Sequence, residues 1–224
     1  VQARLEFFTM ASRSMNREAY TAMMTQLSPE GAGPVTAFAG YLNSNPSPNS
    51  HGPTVARRLL RGEEILHGGA PNQEGRRTPL IDMPSEEELR TQWRNVVGAA
   101  YEGRPQAEEG SYQAYRAYYA ALAEEDGASG GEIDSSRAGR AAAAASGGVI
   151  NWGGRDTIMP WGMSVREFET GVRGGFQNWS FLRDADPSDY QLRAIGGGRY
   201  SVMEGNAVLR NPVTGRPVEV EIRR

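Results

Sequence analysis

Cysteine and lysine are both missing from this chain, and histidine occurs only twice. Without cysteine there are no disulfides and no thiolate metal sites, and the redox compartment stays open. Without lysine, all 24 basic residues are arginine. A GC-rich coding sequence accounts for this, because arginine codons are GC-rich. The sharper reading is that arginine keeps its charge and bidentate hydrogen bonding in crowded polar interfaces. The two histidines, His51 in a Pro/Ser/Asn loop and His67 before a glycine pair, have no partner at helical spacing. That excludes the zincin and zinc-finger patterns. Excess charge of either sign is also lacking. The net charge of −3 gives no reason to expect tight non-specific nucleic-acid binding. Nothing reads as a signal peptide, and no apolar run approaches the ~20 residues that cross a bilayer. Val1 rather than Met heads the sequence, which points to a processed piece or the ordered part of a longer protein.

What is present is helical periodicity followed by short strands. Gln2–Leu27 reads as one helix or two, with Leu5, Phe8, Met15, Met23 and Leu27 on an apolar face and Pro29 as the stop. Pro34–Leu42 and Pro53–Leu66 are further helices, separated by the turn-forming run Asn43–Ser50. Ser85-Glu86-Glu87-Glu88 is a capping box opening a helix that runs to about Gly103. The segment after Pro105 is the clearest helix, with Tyr112, Tyr115, Tyr119 and Leu122 on one stripe. Asp126–Gly131 breaks the pattern. A Gly-flanked helix then spans Glu132–Ala145, with five consecutive alanines that favour helix but offer little area to bury.

Beyond the hinge Ser146-Gly147-Gly148, Val149–Trp152 and Thr157–Met159 read as a hairpin around Gly153-Gly154. Ser164-Val165-Arg166-Glu167 is a second capping box, with Phe168, Val172 and Phe176 facing inward. Strands follow at Tyr190–Ile195, Arg199–Met203, Ala207–Arg210 and Pro217–Ile222, and their short turns argue for an antiparallel meander. The expected fold class is α+β. A predominantly α-helical region, 1–125, and a Gly/Ala-rich connector with a helix, 126–148, precede a small module with one helix and an antiparallel β meander, 149–224.

Chemistry is harder to find. The acidic groups Glu63-Glu64, Glu86–Glu88 and Glu124–Asp126 sit in very polar stretches. A general acid for glycoside cleavage needs an apolar pocket to raise its pKa. Glu219-Val220-Glu221 matches the Glu-x-Glu pair of arginine-directed ADP-ribosyltransferases, but strand alternation alone places both carboxylates on the solvent face. The glycine clusters form neither a Walker sequence nor a dinucleotide-binding fingerprint. No catalytic, cofactor-binding or metal residue is assigned, and no cofactor is expected. Tyr112, Tyr115 and Tyr119 are candidates for core or interface, since such a stripe buries its rings and leaves the hydroxyls at the rim. Trp152 and Trp161 are candidate core anchors of the small module. With Arg155 they belong to the residue types that dominate binding hot spots.

Three blocks carry a family resemblance: Leu27–Val35 (LSPEGAGPV), Tyr119–Gly127 (YAALAEEDG), and Gly148–Met163 with the meander behind it. Together they resemble the C-terminal region of large internal virion proteins of tailed bacteriophages and prophages, of the ejection or tape-measure type. The resemblance implies a structural protein held in the capsid–portal region or the tail lumen. It would assemble in several copies beside portal, tail or further internal proteins and leave with or ahead of the genome. Such proteins often carry a lytic transglycosylase domain elsewhere, whose catalytic Glu-Ser block matches no position here. A segment of a virion-associated peptidoglycan hydrolase is therefore the alternative, and a soluble host binding module the further one.

Overall fold

In the computed structural model the described residues are 33–44, 52–70, 73, 75, 77–128 and 131–222. The helix expected over Gln2–Leu27, His51 and most of the first resemblance block lie outside them. The described chain forms an α+β protein whose helices lie mostly in its first two thirds and whose C-terminal end holds an antiparallel sheet. It divides into two compact units. The described residues up to Val96, with Gln106–Ala145, make one; Val97–Pro105, with Ser146 onward, make the other. The composition breaks thus fall elsewhere than the contacts do. The stretch 97–105 joins the C-terminal unit, and the alanine-rich helix joins the first.

The first unit is helical. α1 (Pro34–Ser44) buries Val35, Phe38 and Leu42 and packs on α2 (Gly52–His67), which buries Val55, Leu59, Ile65 and Leu66. Val35, Phe38 and Leu42 repeat every three or four residues, as do Val55, Leu59, the buried Gly62 and Leu66, the spacing of a single helix face. Gly62 lets α2 approach closely, because a Cβ there would meet the Ala117 backbone. The Leu80 amide donates to the Ile65 carbonyl at 2.8 Å and satisfies one acceptor at the end of α2.

α3 (Glu86–Val97) starts at the expected capping box. The Ser85 hydroxyl accepts from the Glu88 amide, and the Glu88 carboxylate accepts from the Ser85 amide at 2.9 Å. α4 (Pro105–Glu125) is the long helix of this unit. It ends at Gly127, whose φ of +63° suits glycine, with the Ala128 amide turning back to the Ala123 carbonyl at 2.9 Å. α5 runs Ser135–Ser146 and starts later than the sequence implied. Asp134 is its N-cap, its carboxylate accepting from the Arg137 amide at 2.7 Å. Ala138, Ala141, Ala142 and Ala145 are at most 1 % exposed, so the small side chains of α5 serve close packing.

In the second unit, β1 (Val149–Trp152) and β2 (Arg155–Ile158) pair as a hairpin. The turn Gly98–Tyr101 packs on β2, with the Ala99 amide facing Asp156 Oδ2 at 3.4 Å. α6 (Val165–Gln177) opens at the second expected capping box, Ser164 with Glu167. Its Phe168, Val172 and Phe176 meet Leu192, Ala194, Tyr200, Val202, Val220 and Ile222 in one core. Those sheet residues come from β3 (Gln191–Gly196), β4 (Arg199–Glu204) and β6 (Glu219–Glu221) with its immediate C-terminal neighbour.

The meander is antiparallel, with Leu192 opposite Val202 and Tyr200 opposite Val220. One detail exceeds what the sequence implied. β5 (Ala207–Val208) and β6 lie along the same edge of β4, one pairing with Met203–Glu204 and the other with Arg199–Ser201. The Leu209 amide donates to the Val202 carbonyl at 2.9 Å, and the Val202 amide to the Val218 carbonyl at 3.0 Å. The third lane is therefore one strand interrupted by an excursion over 210–217. A bridge between Arg210 and Pro217 closes it at its base.

Candidate functional site

Tyr112, Tyr115 and Tyr119 are brought together in the first unit, all at 0 % exposure. They form a row with Trp93 of α3: ring centroids are 5.3 Å apart for Trp93–Tyr115, 6.0 Å for Tyr112–Tyr115 and 6.2 Å for Tyr115–Tyr119. Such ring pairs contribute about 0.5–1.5 kcal/mol each beyond burial of area. The rings are interior; Tyr112 and Tyr115 are stacked, and the other pairs are tilted.

The three hydroxyls differ. Tyr112 donates to the Glu86 carbonyl at 3.3 Å. Tyr119 is a hub: it donates to the Glu132 carbonyl at 3.4 Å and accepts from the Asp134 amide at 3.0 Å and Arg137 Nη1 at 3.2 Å. Tyr115 Oη is buried and has no hydrogen-bond partner among the described residues. Burial pushes the Tyr112 and Tyr115 phenols up, so neither ionises in the ordinary range.

Several arginines of this unit bind its own carboxylates. Arg58 grips Glu125 with two bonds of 2.8 Å and donates to the Tyr118 hydroxyl at 3.0 Å. Arg61 grips Glu124 in the same two-pronged way and reaches Glu64 at 2.6 Å. Arg137, only 7 % exposed, pairs with Asp126 at 3.2 Å and lies over the Tyr119 ring. Arg116 reaches Glu86 at 3.1 Å, and Arg90 reaches Glu109 at 3.1 Å while covering the Tyr112 ring at 4.0 Å. The two forked pairs, Arg58–Glu125 and Arg61–Glu124, use the donor geometry that lysine lacks.

Among the acidic groups, Glu63 departs from the polar setting expected of it. Burial raises its carboxyl pKa, opposed by His67 at 3.7 Å and by the charge of Arg116. Glu124 is shifted the other way, held down by its hydrogen bonds from Arg61. Glu219 and Glu221 are both exposed, with Val220 buried between them, and Glu219 lies 3.7 Å from Arg199. Among the described residues no group of three or more His, Cys, Asp or Glu side chains is placed to hold a metal ion.

In the second unit, Trp152 is partly buried against the core, edge-on to Phe168 at 5.7 Å, and its indole N–H donates to the Pro187 carbonyl at 3.2 Å. Trp161 is partly buried in the turn closed by the Met163 amide on the Pro160 carbonyl at 3.2 Å. Its backbone, with the Met159 carbonyl, lies where a side chain at Gly147 (φ +92°) would go. Arg155 faces Trp152 across the hairpin, and its side chain, 13 % exposed, pairs with Glu102.

One feature lies outside the expected residues: the partly buried Trp179, edge-on to the exposed Phe181 at 6.2 Å, in the run Asn178-Trp179-Ser180-Phe181 at the end of α6. The turn expected between the last two strands is the 210–217 excursion, which joins two segments on one edge of β4 rather than two neighbouring strands. Comparison with protein-family models, with curated proteins and with solved structures finds no match for this chain.

Proposed function

We propose that this chain is a bacteriophage structural protein, an internal virion or ejection protein packed in the capsid–portal or tail lumen that assists genome delivery. Its partners are portal, tail or further internal proteins and other copies of itself. It takes no cofactor, and nothing in its charge directs it to nucleic acid. The observation that carries the reading is how its polar groups are used. In the first unit Tyr118, Tyr119 and several arginines are bonded to one another and to the unit's own carboxylates, as in the Arg58–Tyr118–Glu125 and Tyr119–Arg137–Asp126 clusters. This is the chemistry of a packing element, and it agrees with the resemblance of the three sequence blocks. Among the described residues no helix is long and apolar enough to cross a membrane.

Mass spectrometry of purified full particles and of particles triggered to release DNA tests the proposal. Presence in full particles and loss with the genome is the expected result. Retention after release would mean a fixed portal or tail component, and absence from both would overturn the virion reading.

One observation favours the hydrolase alternative: Glu63, a carboxyl whose pKa burial raises, the property a general acid needs. Hydrolysis with two carboxylates requires a second one across the bond, about 5–9.5 Å away. Glu64, its neighbour, is engaged by Arg61 at 2.6 Å. Peptidoglycan turbidity assays on the wild-type chain and on Glu63→Gln separate the readings. The structural reading expects no clearance by either protein.

A further inference from the structure

Asp126-Gly127 is the only place in the sequence where an aspartate or asparagine precedes glycine. This dipeptide carries a chemistry of its own. Glycine has no Cβ to shield the approach to its backbone nitrogen, so that nitrogen can reach the aspartate Cγ and close a succinimide ring. The N–Cγ bond forms as a Cγ–O bond breaks. One water leaves, made of that carboxyl oxygen with the carboxyl proton and the amide proton. A second water then opens the ring at either carbonyl. Opening at Cγ restores aspartate; opening at the main-chain carbonyl leaves the backbone running through Cβ and Cγ as isoaspartate. No oxidant, cofactor or partner enters, and the mass is unchanged.

The pair sits at the C-terminal end of α4 with both reacting groups engaged. The Gly127 amide donates to the Glu124 carbonyl at 3.0 Å and the Ala128 amide to the Ala123 carbonyl at 2.9 Å, closing the helix end around the positive φ of Gly127. Asp126 Oδ2 accepts from Arg137 Nε at 3.2 Å and from Arg140 Nη2 at 3.0 Å. Both arginines belong to α5, so the carboxylate is held toward that helix. The site is nonetheless open to water. The Asp126 side chain is 40 % exposed, Gly127 is exposed, and a Cβ at Gly127 would meet nothing within 4 Å. Ring closure lacks neither solvent nor room. What it lacks is a released nitrogen and a carboxyl able to turn onto it.

We propose that Asp126-Gly127 is a site of isoaspartate formation whose rate is set by opening of the arginine clamp and the helix cap. Reaction passes through the small population in which both are open, in the way that hydrogen exchange passes through local opening. The product does not fit the closed state. Isoaspartate adds one carbon to the backbone inside the cap and shortens the branch that bears the carboxylate. The Gly127 and Ala128 bonds therefore lose their register, and Arg137 loses Asp126. Arg137 is only 7 % exposed and keeps only the Tyr119 hydroxyl among these partners. A buried guanidinium stripped of its carboxylate is destabilising, so the modified chain has a weaker first unit. The inference goes beyond the virion reading and stands without it.

Incubation of the purified full chain at neutral pH in water carrying heavy oxygen, followed by peptide mass spectrometry, tests this. Each ring opening leaves one heavy oxygen at residue 126, and chromatography separates the isoaspartyl peptide from its aspartyl twin. Folded wild type should convert slowly and urea-unfolded wild type fastest. Arg140→Gln removes the exposed arm of the clamp and should raise the folded rate by about two- to fivefold, the range that an exposed ion pair supplies. High salt screens exposed pairs and should raise the wild-type rate with no substitution at all, so the test survives a variant that fails to fold. Asp126→Glu should abolish uptake at that position. Absence of conversion at Asp126 even in urea overturns the proposal. A folded rate equal to the unfolded one overturns it too, as does a folded rate that neither Arg140→Gln nor salt changes. Conversion is read on purified protein and particle content on virions, so either proposal can fail alone.

Discussion

Tyr115 and Tyr119 stand one helical turn apart on α4, are equally buried, and have opposite hydrogen-bond status. Removing the Tyr119 hydroxyl takes away the acceptor of the Asp134 amide and one of the acceptors of the buried Arg137, which keeps Asp126. Tyr119→Phe should therefore cost about 1–3 kcal/mol. Tyr115→Phe removes a hydroxyl that has no partner among the described residues and should be neutral or stabilising by up to about 1 kcal/mol. Urea denaturation of both variants checks this, and equal losses would refute the assignment. Glu63 adds a pH effect. Its carboxyl has a higher pKa folded than unfolded, so between the two values the folded state holds more proton. Stability from this group therefore falls as pH rises through that window. Glu63→Gln should raise the melting temperature at pH 7, and the gain should vanish below the ordinary carboxylate range. Glu109, Glu124 and Asp134 are shifted down, so their contribution is present at neutral pH and is lost as acid protonates them. A melting-temperature series across acidic pH in wild type and Glu63→Gln separates the two opposing trends.

At the scale of elements, α6 offers a sharp comparison between neighbouring glycines. A Cβ at Gly174 would have no atom within 4 Å, whereas one at Gly175 would lie 2.8 Å from the Val220 side chain. Helix propensity alone predicts that alanine stabilises both positions. The packing of α6 on β6 predicts that Gly174→Ala gains about 0.5–1 kcal/mol and that Gly175→Ala loses about 1–3 kcal/mol. Thermal denaturation of the two single variants decides it. The same helix shows what was legible beforehand. Its capping box, its inward Phe168, Val172 and Phe176, and the strands around it follow from local patterns that a chain writes into adjacent residues. The tyrosine stripe was equally legible, because a 3-4-3 spacing defines a face. The partners that decide what such a face does lie far along the chain: Trp93 for Tyr115, and Val220 for Gly175. No local pattern encodes them. Glu63 differs from its expected polar setting for the same reason. Its sequence neighbours are polar, and the burial that raises its pKa comes from its place in the folded unit.

For the whole molecule, the chain passes between the two units at 96–97, 105–106 and 145–146, so neither unit is one continuous segment. The C-terminal module, drawn from composition as 149–224, omits the 97–105 stretch. That stretch contributes the turn on β2, the Ala99 amide facing Asp156, and Glu102 opposite Arg155. A fragment beginning at Ser146 keeps the α6–sheet core but leaves β2 without that cover and the largely buried Arg155 without its carboxylate. Loss of the apolar contact and one hydrogen bond should cost about 2–3 kcal/mol, a large share of the roughly 5–15 kcal/mol that holds a domain of ordinary stability. Joining 97–105 to the front of the fragment through a Gly/Ser linker should recover most of the loss, because the tether makes docking intramolecular. Hydrogen exchange locates the effect. The amides of Arg155–Ile158 should lose protection in the bare fragment and regain it when the segment is tethered, while those of β4 change little. Uniform loss of protection across the sheet would mean that 97–105 supports the whole core. No change anywhere would mean that the second unit folds from the C-terminal segment alone.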